Sequence, residues 1–141
     1  MTAAAPSTAP VLFEHFEPGR VMGAITQVYD DQQARRWQAI FGQAPAADGS
    51  PCAAEGASMA VVAIMRGYLQ IVTPRPPGNV HARQQLALHA TPRPGEVMKV
   101  QVRCQGKEIR RERRYVELQA QATGAGGRPL FDGLMTLIWA A

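Results

Sequence analysis

The chain has 141 residues, of which 46% are hydrophobic and 18% charged, and 15 Lys and Arg against 11 Asp and Glu give a net charge of +4. That length supports one domain with its own core, and the widely separated Cys52 and Cys104 form no CxxC or Cys/His cluster, which argues against a disulfide framework and a structural zinc site. Arginine dominates the basic excess and suits phosphates and carboxylates, yet no aromatic residue interrupts RRERR at 110–114, so a base-stacking nucleic-acid surface is not expected and the run reads as a solvated strand face or hairpin end.

Residues 1–11, MTAAAPSTAPV, are small, lack Lys and Arg and contain no long apolar run. They read as a disordered tail rather than a secretory leader, ahead of a single domain over 12–141, and the chain reads as cytoplasmic. Residues 12–29, LFEHFEPGRVMGAITQVY, place a turn at Pro18-Gly19 and then a strand from about Val21 to Val28. Asp30 or Asp31 then caps a helix, with Gln33 placed for a capping box. Ala34, Trp37, Ile40 and Phe41 recur at helical spacing, and Gly42 supplies the stop.

The next stretch, FGQAPAADGSPCAAEG at 41–56, holds two acids, Asp48 and Glu55, and one thiol, Cys52, among small bland residues. GASMAVVAIMRGYLQIV at 56–72 follows and is apolar nearly all round, apart from a line of Ser58, Arg66 and Gln70. Such a helix must be surrounded on most sides. Arg66 and Gln70 interrupt it as a membrane span, and buried in it they need partners in a structural pair or a dimer contact. The prolines of TPRPPG at 73–78 end the helix.

The remainder alternates with period two. Within 79–90, Val80, Ala82, Gln84, Leu86 and Leu88 oppose His81, Arg83, Gln85 and His89. PRPGE at 92–96 turns the chain, and Met98, Val100, Val102 and Cys104 share the next inner face. After Gly106 a longer strand places Val116, Leu118, Ala120 and Ala122 inside. GAGG at 124–127 turns again, and 129–140 forms a last, mostly buried strand. One apolar helix and an antiparallel meander give an α+β architecture in which the sheet curls around the helix.

Four stretches carry a resemblance in their shared order: LFEHFEPGRVMGAITQV, DDQQARRWQAIFG, PPGNVHARQQLALHATPRPGEVMKVQV and RRYVELQAQATGAGGRPLFDGLMTLIW. Over about residues 12–139 the chain resembles the hotdog fold, and within it the MaoC-like (R)-specific enoyl-CoA hydratases and dehydratases. The resemblance implies water addition to an enoyl thioester or its reversal, by an Asp and a His in a D-x-N-P-x-H pattern just after the Phe-Gly. It also implies a backbone N–H at the central helix start that polarises the thioester carbonyl. Anchored on Phe41-Gly42, the Asp position holds Gln43 and the His position Asp48. With DGSP aligned instead, Ala53 stands where the His is needed, so no register restores the pair.

The resemblance therefore implies an acyl-thioester protein with altered or lost catalysis, whose ligand is an acyl-CoA or acyl-carrier-protein thioester. It implies no separate cofactor and no metal; CoA or phosphopantetheine is the carrier. A homodimer or higher hotdog oligomer is expected, with a heterodimer as the alternative, and no nucleic-acid or membrane partner. Glu55 reads as a general base of thioesterase type or as an acid stabilised by the helix dipole. Asp48 reads as a substitute for the missing His or as an exposed turn residue. Gly56 and Ala57 are the expected thioester-oxygen site, with close packing as the other reading of Gly56. His81, Arg83 and Gln85 share one strand face by alternation; the resemblance places His81 and Arg83 on the substrate, Arg83 at a phosphate, and an outer-face polar stripe is the other reading. Cys52 reads as a small buried residue with no activating His in range.

Overall fold

A computed structural model describes residues 8–141. The elements are β1 (Val21–Val28), α1 (Asp31–Phe41), α2 (Ala53–Ile71), β2 (Val80–Leu88), β3 (Val97–Arg110), β4 (Arg113–Thr123) and β5 (Pro129–Trp139). The five strands form one antiparallel sheet in the order β1-β3-β4-β5-β2. Inner residues of β3, β4 and β5, from Val100 and Val102 to Leu118, Met135 and Leu137, pack against α2 and are at most 1% exposed. Small residues on α2 let the helix lie close to the sheet. A side chain at Gly67 would come within 2.8 Å of Val100 Cγ1.

The end of the expected tail, at Val11, is held in place. Residues 1–7 lie outside the described residues. Val11 is fixed, because its N–H donates to the Pro74 carbonyl at 2.8 Å and its own carbonyl accepts from Trp139 Nε1 at 2.8 Å. Around α1 the cap is half of what the sequence allows. Asp30 Oδ1 accepts from the Gln33 N–H at 2.9 Å, but the Gln33 amide oxygen faces the Arg66 guanidinium instead of returning to the cap. Gly42 closes the helix in the left-handed region at φ 69°. Ile40 and Phe41, expected inward, are exposed; Trp37 alone on this helix is buried.

Three further expectations are corrected. The helix α2 begins at Ala53, a turn before the Gly56 start read from apolarity, because Ala53 and Ala54 extend it back to an extended Cys52. Among the described residues, only one side of α2 is covered. Val61, Val62 and Leu69 on the other side are 41%, 37% and 44% exposed, and Arg66 is exposed as well. Finally, β3 does not stop near Gly106 but runs through a bulge there to Arg110. RRERR forms the hairpin end, with Arg111 and Glu112 both at positive φ.

Candidate functional site

At the start of α2 a polar cluster closes around one acid. Glu55 is 1% exposed. Its Oε2 accepts from the Tyr29 hydroxyl at 2.5 Å and its Oε1 from Gln38 Nε2 at 3.0 Å. Three elements deliver these groups. Tyr29 follows β1 directly, Gln38 lies on the side of α1 turned toward α2, and Glu55 sits in the first turn of α2. The Tyr29 carbonyl accepts from the Gly95 N–H at 3.1 Å, which ties the cluster to the turn before β3. Burial, followed by the hydrogen bond to Glu55, pushes the Tyr29 phenol well above its ordinary range, so it stays a neutral donor. A pocket of about 290 Å³ opens onto the cluster, walled by Pro45, Pro51 and Pro94 together with Tyr29, Gln38 and Glu55.

The other expected site residues divide sharply. Asp48 is exposed, and its Oδ1 accepts from Ser50 Oγ at 2.5 Å and from the Ser50 N–H at 3.0 Å. Those bonds hold its carboxyl below the usual carboxylate range, opposite to what a proton donor needs. Its neighbour Gly49 lines the pocket but Asp48 does not. The turn reading fits this geometry.

The Gly56 N–H already donates to the Cys52 carbonyl at 2.9 Å, since the helix starts earlier than expected. Ala57 lies one residue further into the helix. The unfilled donors of this helix start are therefore those of Ala53, Ala54 and Glu55, and the Cys52 side chain caps none of them. A side chain at Gly56 would meet Thr91 Cγ2 at 2.6 Å, so its lack of a side chain serves close packing. Cys52 is half-buried, with its Sγ 3.4 Å from Gln43 Oε1.

His81 and Arg83 do not share a face. A bulge at Ala82 shifts the register of β2, so His81 pairs with core-facing Leu137 whereas Arg83 pairs with Thr136 on the outer side. Neither lines the Glu55 pocket. Strict alternation carries no sign of a bulge, and this is why the two were read together.

Sequence reasoning missed Tyr29 and Gln38. The available signal was a polar Gln38 among the apolar positions of α1 and a tyrosine closing β1. It also missed His89, whose Nε2 lies 2.8 Å from Asp132 Oδ2 on the outer face, and Glu96, which is 8% exposed.

No family model matches the chain, and no curated protein matches it. Solved structures do. A MaoC-like dehydratase from Rhodospirillum rubrum is 15% identical over 93% of this chain and 98% of its own, with a TM-score of 0.75. The fold is the hotdog fold. An (R)-hydratase from Pseudomonas aeruginosa shares the hotdog at 14% identity, over 92% of this chain and 86% of its own, with a TM-score of 0.68. A thioesterase from Thermus thermophilus, complexed with coenzyme A and Zn, shares it at 19% identity, over 87% of this chain and 86% of its own, with a TM-score of 0.55. In hotdog terms α2 is the central helix and the sheet is its wrap. The Glu55 pocket sits where the loop after Phe41-Gly42 meets the start of that helix.

Proposed function

We propose that this hotdog chain binds an acyl thioester of CoA or of an acyl carrier protein, as a MaoC-like hydratase and dehydratase relative that lacks the usual Asp/His pair. The supporting observation is the Glu55 carboxylate, buried at the helix start and held by Tyr29 and Gln38 beside a pocket. Hydration of an enoyl thioester calls for one group that takes a proton from water and another that delivers one to carbon. This pocket offers a single buried acid, so its chemistry is altered or lost relative to the paired form. The exposed apolar side of α2 favours assembly as a dimer, in which a second subunit covers Val61, Val62 and Leu69.

A thioesterase is the second reading. Thioester hydrolysis requires one base to activate water and donors for the developing oxyanion. Glu55 and the unfilled N–H groups of Ala53, Ala54 and Glu55 itself are of those two kinds. One assay separates the readings. Purified protein is incubated with crotonyl-CoA and longer enoyl-CoAs while hydration and free thiol are followed together. Weak or no hydration with retained binding is the expected result. Thiol release abolished by Glu55→Gln moves the assignment to the thioesterase, and absence of any thioester binding overturns both readings.

A further inference from the structure

Arg83 leads to a second site on the opposite face of the sheet. A groove of about 580 Å³ lies there, within the size range of small-molecule sites. Its floor is one row of residues running across four strands. Arg83 of β2 pairs with Thr136 of β5, Thr136 with Glu117 of β4, and Glu117 with Gly106 of β3. Two of the three register shifts among these strands fall on that row, one between His81 and Arg83 and one between Cys104 and Gly106. Bulges sharpen local twist and re-aim side chains, and here they turn Arg83 outward and hollow the face where Gly106 contributes no side chain. Three strand spacings make the row about 14 Å long.

The groups along it form an ordered set. Arg83 and Glu117 make no side-chain ion pair among the described residues. Further along β3, the Arg110 guanidinium lies 4.5 Å from the Tyr115 ring centroid and 3.6 Å from Glu108 Oε1, which leaves a flat, oriented cationic plane at one end of the groove. Anion recognition, hydroxyl recognition and a stacking plane thus succeed one another from β2 to β3. We infer that this groove binds a nucleoside phosphate, with the phosphate on Arg83, the sugar hydroxyls on Glu117 and Thr136, and the base stacked on Arg110 over Tyr115. Glu108 is paired with Arg110, whereas the Glu117 carboxylate has no ion pair among the described residues; it repels a bare anion and accepts well from a sugar hydroxyl. The groove lies on the face away from α2, so covering α2 leaves it open.

Two sources carry this chemistry, a free nucleotide and the nucleotide end of CoA, and the second rests on the thioester reading above. Calorimetric titration of the full chain uses ADP, adenosine 3′,5′-bisphosphate, CoA and inorganic phosphate. All three nucleotides are expected to bind more tightly than phosphate. Arg83→Ala and Arg110→Ala, both surface changes, are each expected to weaken them by roughly tenfold or more. Tighter binding of the bisphosphate and CoA than of ADP supports the carrier source, and the reverse order supports a free nucleotide. Glu55→Gln is expected to leave the affinity for ADP and adenosine 3′,5′-bisphosphate unchanged whatever it does to CoA thioesters. The inference is overturned if nucleotides bind no better than phosphate, if both arginine variants bind as the parent does, or if Glu55→Gln alone removes binding.

Discussion

At the scale of single residues, the Glu55 cluster bears directly on stability. Its two donors are neutral, so the carboxylate depends on both hydrogen bonds to remain in a nearly dry position. Tyr29→Phe keeps the ring packing and deletes one donor. It is expected to lower unfolding free energy by about 1–3 kcal/mol, the usual cost of leaving a buried polar group short of a partner. Urea denaturation at neutral pH measures it, and a midpoint equal to that of the parent chain would show that the bond contributes nothing. Glu55 was legible in the sequence by its place just before the apolar helix. Its partners were not, because Tyr29 and Gln38 stand 26 and 17 residues away and only the packing of β1 and α1 against α2 brings them in. Asp48 was equally visible as an acid in the right loop, yet a local turn with Ser50 consumes it.

At the scale of elements, α2 carries two tests. On its covered side, Gly67→Ala gains helix propensity worth about 1 kcal/mol. It also forces a methyl to within 2.8 Å of Val100 Cγ1, on a β-branched side chain with little freedom to move. Overpacking of this kind costs about 1–3 kcal/mol, so net destabilisation is expected, and it should largely disappear when Val100→Ala is added. Additive losses in the double variant would place the strain elsewhere. On the open side, Val62→Glu puts a charge in the apolar stripe. If a second subunit covers that stripe, light scattering on a sizing column should change from dimer mass to monomer mass with helicity retained. A parent chain that already runs as a monomer would remove the proposal.

Strand positions were readable because one face of each strand is packed on α2, which enforces alternation on Met98 to Cys104 and Val116 to Ala122. Edge strand β2 is less constrained. Its bulge changes which residues share a face while leaving the sequence pattern untouched, and so the pairing of His81 with Arg83 failed. The uncovered side of α2 was unreadable for a related reason. Apolarity all round says that a helix must be covered, not that its own chain does the covering.

For the molecule as a whole, charged and phenolic groups set opposite limits on stability against pH. Glu96 braces the turn before β3 against the connection from β4 to β5. Its oxygens accept from the Arg93 N–H at 2.8 Å and the Ala125 N–H at 2.9 Å, and Arg128 pairs with it. Burial opposes its ionisation, but those N–H groups and Arg128 outweigh that and hold the carboxyl below its ordinary value. The unfolded chain therefore takes up a proton at Glu96 before the folded chain does. The stabilisation is present above the unfolded carboxylate range and is lost as pH falls through the folded one. Tyr29 works in the other direction. Burial and Glu55 raise its phenol, so its contribution is complete below about pH 10, where free tyrosine ionises, and is lost as pH rises toward the folded value. Burial raises Tyr68 and the Cys104 thiol in the same sense. Unfolding free energy should thus fall at both ends of the pH scale for separable reasons. Glu96→Gln is expected to flatten the acid side and leave the alkaline slope intact, while Tyr29→Phe does the converse. Chemical denaturation across the pH range reads both slopes. An acid slope unchanged in Glu96→Gln would mean that other carboxylates control the acid limit, and that the brace between the two connections is a contact without a stabilising charge.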